Sequence, residues 1–98
     1  MRIQTESVKF KASDDLLEFI DRKLGKLDRF FDRIIEAQVT LRLENAGQIK
    51  DKIVEVQLAL PGENIFVKEV NKTFEAGIEA AVDVLKRQLV KHKEQIRS

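Results

Sequence analysis

The sequence predicts an α+β fold with the element order βαβββα, in which a four-stranded mixed sheet carries two helices packed on one face. Two stretches, AQVTLRLE and IVEVQLAL, alternate between inward apolar residues and outward residues, as half-buried antiparallel strands do. Two longer stretches place apolar residues at helical spacing, each after a residue that can cap a helix. The chain has 98 residues, 43% of them hydrophobic, which suits one compact domain.

The first strand and the first helix lie in the N-terminal third. Alternation over residues 2–10, which ends on a shifted phase, predicts a strand that finishes in a bulge or turn. Ser13 is placed to cap a helix, and Asp14, Asp15 and Glu18 follow in the turns where the helix dipole favours negative charge. We expect this helix to run to about Phe31.

The remaining elements form a meander and a final helix. AQVTLRLE and IVEVQLAL, separated by the loop NAGQIKD, are predicted to form a hairpin. Pro61 and Gly62 make the next turn, and NIFVKEV is the last strand of the meander. Thr73 can cap a helix that runs from Phe74 to the end of the chain.

One face of the predicted sheet is apolar and has to be covered. The two amphipathic helices are the available cover, so we expect both on the same side, with the first strand joined through its helix by a right-handed crossover. The other sheet face should meet water. The apolar face of the two central strands is predicted to consist of Val39, Leu41, Leu43, Val54, Val56, Leu58 and Leu60.

Composition excludes several classes of function. The chain contains no Cys, so a disulfide framework, a thiolate metal site and a cysteine nucleophile are all ruled out. It also contains no apolar run of signal-peptide or membrane-spanning length. We therefore expect a cytoplasmic protein without a membrane partner or a small-molecule substrate, and nothing in the sequence indicates a homo-oligomer.

The sequence gives little support for catalysis. His92 is the single histidine and lies at the border of the second helix's apolar arc, where a packing role is favoured over a general base. The carboxylates show no paired-acid spacing, and the four glycines form no phosphate-binding loop. We expect no enzyme, no cofactor and no bound metal.

Basic residues follow the outward faces of both predicted helices, although the formal net charge is only +1. These bases are Arg22, Lys26, Arg29 and Arg33 near the first helix and Lys86, Arg87, Lys91, Lys93 and Arg97 in the second. Two interpretations fit them equally: a solvated face, with Glu18 paired to Arg22 and Arg29 to Asp32, or an anion-binding surface. A membrane surface ranks below both, because the apolar sides of the helices are needed to cover the sheet.

If the anion is a nucleic acid, the aromatic residues limit how it is bound. The chain has no Trp and no Tyr, and the meander carries only Phe66, so the sheet is a poor platform for stacking single-stranded bases. Basic helices with a few amides such as Gln88 suit contacts to phosphates and 2′-hydroxyls. The favoured target is therefore folded, helical RNA that is read by its shape.

The chain resembles the family of ribosome hibernation promoting factors, also called ribosome-associated translation inhibitors or sigma-54 modulation proteins. The resemblance covers nearly the whole chain and is carried by LLEFIDRKLGKLDRFFDRI, by the LPGE turn and above all by TFEAGIEAAVDVLKRQLVKHKE. It implies a fold like that of double-stranded-RNA-binding domains. It also implies binding to the small ribosomal subunit and its ribosomal RNA at the decoding channel, which blocks mRNA and tRNA binding during stress or stationary phase.

The resemblance also implies site residues. Lys23, Lys26 and Arg29 match the basic positions of the family's first helix, and Arg87, Lys91 and Lys93 match those of its last. With two neighbouring bases from the helical pattern, the predicted RNA-binding residues are Arg22, Lys23, Lys26, Arg29, Lys86, Arg87, Lys91 and Lys93.

This chain departs from the family pattern at two places. Val84 stands where many members have Lys, and Lys72 and Thr73 replace an acidic pair. Either one RNA contact is absent or Lys72 supplies it. Because the chain stops at Ser98, we expect a short form in which residues 1–98 make a single ribosome-binding domain without a C-terminal dimerisation domain. A module that acts on another regulator is the second hypothesis, and a small hydrolase or other enzyme is a distant third.

Overall fold

The computed structural model describes the backbone of residues 1–46 and 49–97, and the side chains of residues 1–44 and 51–95. The element order is βαβββα, as predicted. The elements are β1 (Arg2–Ser7), α1 (Asp14–Gly25) followed by a 3₁₀ turn (Lys26–Arg29), β2 (Glu36–Ala46), β3 (Ile49–Leu60), β4 (Glu63–Asn71) and α2 (Phe74–Arg97).

The four strands form one mixed sheet in the order β1-β2-β3-β4. β1 runs parallel to β2, which is possible because α1 and the 3₁₀ turn carry the chain back between them. The other two pairings are antiparallel, as the short turns of a meander require. In this register Val39 lies opposite Val56, and Val56 lies opposite Val67, so apolar side chains share one face across three strands.

Both helices begin at the predicted caps. The Leu16 N–H donates to Ser13 Oγ at 3.1 Å, and the Ala76 N–H donates to Thr73 Oγ1 at 3.1 Å. Each bond satisfies a backbone donor that the first helical turn leaves without a partner. The turn between β3 and β4 is also as predicted, with Gly62 at a φ of 76°, where a side chain is disfavoured.

The core lies between the helices and one face of the sheet. Six of the seven apolar positions predicted on β2 and β3 are buried, but Leu43 is 41% exposed. Leu43 pairs with Lys52 towards the far end of the hairpin, so the apolar core ends one residue pair earlier than predicted. The helices contribute Ile20, Leu24, Leu27, Phe74, Ile78, Ala81, Leu85 and Leu89 to this core.

Two boundaries differ from the prediction. The first helix was expected to continue to about Phe31, but after Gly25 it tightens into the 3₁₀ turn, and the Phe30 and Phe31 N–H groups both donate to Leu27 O at 2.9 and 3.2 Å. This tightening still brings Leu27 and Phe31 into the core. Part of the predicted loop NAGQIKD is strand, because β2 continues through Ala46 and β3 begins at Ile49, and residues 47 and 48 lie outside the described residues.

Candidate nucleic-acid interface

The predicted basic residues lie on the outer side of the two-helix layer. A groove of about 370 Å³ runs between the helices where they approach each other. An ion pair links the two helices, since Lys23 Nζ of α1 lies 3.5 Å from Glu79 Oε1 of α2. The predicted site residues that line the groove are Lys23, Lys26, Arg29 and Lys86.

A second groove, of about 390 Å³, lies where the 3₁₀ turn meets the C-terminal part of α2. Lys93 lines it from α2, while Arg29 and Arg33 line it from the other wall. Spacing places Arg33 among the outward bases of the first helix, although it is not one of the predicted RNA-binding residues. It is exposed and lies beyond the 3₁₀ turn, as its position near the helix end indicated.

The outward side of α2 carries the remaining bases. Arg87 and Lys91 line a shallow groove together with Val84 and Gln88. A further surface depression contains both Lys86 and Arg87 and so connects this side of α2 with the groove between the helices. Because neighbouring grooves share Arg29, Lys86 or Arg87, the bases follow one another across the surface. We call this set the basic band: Lys23, Lys26, Arg29, Arg33, Lys86, Arg87, Lys91 and Lys93.

Most cations of the basic band are free of carboxylate partners. The acids that line the same grooves are Asp28, Asp32, Glu79 and Asp83. Glu79 is held by Lys23, and Asp28 lies 3.6 Å from the amino group of Met1. Within the described part of the chain, the other seven bases of the band form no ion pair. The solvated-face interpretation expected Glu18–Arg22 and Arg29–Asp32 pairs, and neither pair forms between these described side chains.

Arg22 is the predicted site residue that the grooves leave out. Its side chain is exposed, and its guanidinium carbon lies 5.6 Å from the centre of the Phe19 ring. Lys23 Nζ lies 5.5 Å from the same ring centre. Arg22 therefore lies beside the basic band rather than within its grooves.

The two departures from the family pattern have different structural consequences. Thr73 keeps the helix cap, as described above, although the acidic pair is missing. Val84 is half-buried beside Arg87 and Lys91, so that groove has one base fewer. Lys72 precedes α2 by two residues, and Val84 lies about 15 Å along the helix axis from the first residue of α2, Phe74. Lys72 therefore adds positive charge at a different place and does not replace a base at position 84.

His92 has the packing role expected from the sequence. Its side chain is 11% exposed, Nδ1 lies 2.7 Å from Glu63 Oε2, and the imidazole packs edge-on to Phe31 at 5.2 Å between ring centres. Glu63 follows the β3–β4 turn, so this contact ties α2 to the sheet. The contact joins distant parts of the chain and could not be read from spacing. Among the described side chains, those of residues 1–44 and 51–95, no group of His, Asp and Glu is arranged to hold a metal ion.

The open face of the sheet differs from the helical side. Arg2 lies 3.7 Å from Glu36, and Arg42 Nε lies 2.7 Å from Glu55 Oε1. Phe66 is the aromatic residue of the meander and is 59% exposed.

In the described ranges, no helix is both long and apolar enough to cross a bilayer.

Together, the fold and the basic band define an α+β domain with a band of cations on two adjoining helices. Residues 3–97 match the profile of the family described as "Sigma 54 modulation protein / S30EA ribosomal protein". The chain belongs to this family, which confirms the resemblance seen in the sequence.

Similar proteins carry consistent names. A ribosome hibernation promotion factor from Deinococcus radiodurans is 38% identical over 84 residues, which cover 85% of this chain and 44% of that protein. The ribosome hibernation promoting factor of Azotobacter vinelandii is 32% identical, over 96% of this chain and 84% of its own length. The chain thus spans less than half of the first relative and most of the second.

Solved structures show the same fold. The N-terminal domain of Protein Y from Thermus thermophilus has a TM-score of 0.81 and 31% identity, and the match covers 94% of this chain and 99% of that one. A ribosomal subunit interface protein from Coxiella burnetii has a TM-score of 0.84 over 96% of this chain and 99% of its own, but at 23% identity it supports the fold alone.

Proposed function

We propose that this protein is a ribosome hibernation factor that acts in the cytoplasm, binds small-subunit ribosomal RNA at the decoding channel and so prevents mRNA and tRNA from binding. The names of its relatives support the association with ribosomes. The observation that carries the RNA contact is the basic band, in which bases from two helices gather in connected grooves, most of them without carboxylate partners among the described residues.

The proposed mechanism is occupation of a site rather than chemistry. Free ammonium and guanidinium groups replace the counterions of RNA phosphates, and this gives affinity that falls as salt rises. The helices hold these groups in a fixed arrangement, which favours folded RNA of matching shape over RNA of a particular sequence. Once bound in the channel, the domain excludes mRNA and tRNA by its volume.

The test is sedimentation of the protein with isolated small ribosomal subunits, followed by competition. We expect the protein to travel with the subunits at low salt and to leave them at high salt. Saturating protein should also prevent binding of initiator tRNA and of a short mRNA. A protein that binds subunits at low salt without excluding either ligand would place the contact outside the decoding channel. A protein that ignores subunits at every salt concentration would contradict the proposed function.

The second candidate is a protein-interaction module that modulates another regulator. The family description, which includes sigma 54 modulation, and the exposed Phe66 and Val70 on the open sheet face favour it. The two candidates predict different effects of Phe66→Ser, a substitution at a position that is already exposed. Capture of sigma-54 that Phe66→Ser abolishes, without any binding to subunits, would support the second candidate.

A further inference from the structure

One aromatic side chain stands inside the basic band. Phe30 and Arg29 are the two residues that line both the groove between the helices and the groove beside Lys93. They therefore form the ridge between these two grooves. Phe30 is partly exposed, whereas the adjacent Phe31 is only 7% exposed and packs into the core against His92. Of these two neighbouring rings, one serves packing and the other reaches the surface.

The Phe30 ring faces a cation. Lys86 Nζ, from α2, lies 4.7 Å from the ring centre, within the range of a cation–π interaction. The ring is therefore accessible from the groove to a polar group. Ammonium groups at exposed sites bind a phenyl ring more weakly than a nucleobase stacks on one. A nucleobase that displaces Lys86 from the Phe30 ring would also allow this lysine to contact a phosphate.

We propose that Phe30 stacks on an unpaired nucleobase of the RNA. The Lys and Arg residues of the two flanking grooves then hold the phosphates on either side of that nucleotide. The proposal rests on the proposed function and makes it more specific. Nucleobases inside an RNA duplex are already stacked and paired, so a duplex alone offers no nucleobase on which Phe30 could stack. The bound RNA must then present an unpaired nucleotide at the ridge, in addition to the backbone that the basic band contacts.

The first test compares Phe30→Leu with Phe30→Tyr on isolated small subunits over a series of salt concentrations. Leucine keeps an apolar side chain against the core but has no ring, whereas tyrosine keeps the ring. We expect Phe30→Leu to bind about 10-fold more weakly, and Phe30→Tyr to bind within about twofold of the wild type. Because every phosphate-binding cation is kept, the slope of log affinity against log salt should stay unchanged in both variants.

The salt slope separates stacking from a merely structural role. If Phe30 only positions Arg29 or Lys86, Phe30→Leu should bind fewer phosphates and show a flatter slope, and this result would overturn the proposal. Wild-type affinity in Phe30→Leu would also overturn it while leaving the proposed function intact. If the wild type itself binds no subunits, the proposed function fails and the stacking proposal fails with it.

A second measurement does not depend on the stability of the leucine variant. The chain contains no Trp, so Phe30→Trp introduces a single fluorescent reporter at the ridge, and Phe66→Trp introduces the matched reporter on the open sheet face. Stacking on a base quenches indole fluorescence. We expect saturating small subunits to quench Phe30→Trp strongly and to leave Phe66→Trp nearly unchanged. Equal signals from the two reporters on saturated subunits would contradict the proposal.

Discussion

The two faces of this domain carry the same kinds of charged residue in different states of pairing. On the open sheet face, the guanidinium groups of Arg2 and Arg42 each contact a glutamate of a neighbouring strand. On the helical side, seven of the eight bases of the basic band form no ion pair with any described residue. Anion binding is therefore expected where cations are unpaired, and the net charge of +1 says little about it.

The pairing differs because strands and helices arrange neighbours differently. In a sheet, residues on adjacent strands face each other in a fixed register, and Arg2 lies directly opposite Glu36. On a helix the neighbours lie three or four residues apart, and Arg87 is followed at that spacing by Lys91. A sheet of mixed charge can thus neutralise itself, whereas a helix with consecutive bases on one side keeps its positive field.

The largest expected effect comes from reversing charge on the helical side. Arg87→Glu together with Lys91→Glu should weaken binding to small subunits by about 100-fold, because two cations without carboxylate partners become anions that repel RNA phosphates. Both side chains are exposed, so the melting temperature should change little. The matched control is Lys9→Glu with Lys11→Glu, two exposed lysines outside the grooves of the basic band. A similar loss of affinity in the control would show that overall charge, rather than the basic band, determines the affinity.

A smaller effect should follow from changing how the helical layer sits on the sheet. A Cβ at Gly77 would lie 2.7 Å from Val54 Cγ2, so Gly77→Ala should push α2 from β3 and cost about 1–3 kcal/mol of unfolding free energy. At Gly25, which has helical backbone angles, a Cβ would meet nothing within 4 Å. Gly25→Ala should therefore stabilise the protein by about 0.5–1 kcal/mol. Chemical denaturation measures both changes in unfolding free energy. Two changes of the same sign would contradict the close contact of α2 with β3.

The smallest effect is expected where the contact of His92 with Glu63 joins the two layers. Glu63→Gln removes the charge that faces His92 but keeps the side-chain length, and Glu63 is half exposed. The unfolding free energy should fall by about 1 kcal/mol or less. Affinity for small subunits should be unchanged, since neither residue lines the grooves of the basic band. A large drop in affinity at unchanged stability would show that this contact helps to position Lys91 or Lys93.

Much of the fold could be predicted because its determinants are local. Alternation of apolar and polar residues predicted which side chains of β2 and β3 face the core. The hydroxyl residues Ser13 and Thr73 predicted where the two helices begin, and both cap a helix in the structure. The 3₁₀ turn was missed because a helical wheel places Leu27 and Phe31 on the core side in either geometry. The end of the β2–β3 hairpin was missed because its polar residues pair through backbone bonds, which leave no hydrophobic pattern.

The candidate site was predictable in composition but not in arrangement. Spacing placed the bases outward, and the exposure of those with described side chains agrees with it, whereas the Arg97 side chain lies outside the described residues. The grooves depend on how two helices approach each other, and no local pattern encodes that. This is why Arg22 lies outside them, why Arg33 joins them, and why Phe30 was not recognised as a surface residue beside Lys86. The Lys23–Glu79 contact has the same long-range origin.

The most direct test neutralises three cations on each face. One variant carries Lys26→Gln, Arg29→Gln and Lys86→Gln in the basic band, and the other carries Arg2→Gln, Arg42→Gln and Lys68→Gln on the open sheet face. Both variants have the same formal charge. Affinity for isolated small subunits is measured for the wild type and both variants at four salt concentrations.

We predict that the basic-band variant binds far more weakly and that its slope of log affinity against log salt is flatter by about 0.7–0.9 for each phosphate that is no longer neutralised. The sheet-face variant should stay close to the wild type, because attraction over long distances is screened beyond about 8 Å at physiological salt. Equally weakened binding of the two variants, with parallel slopes, would contradict the central claim and leave only nonspecific attraction by overall charge.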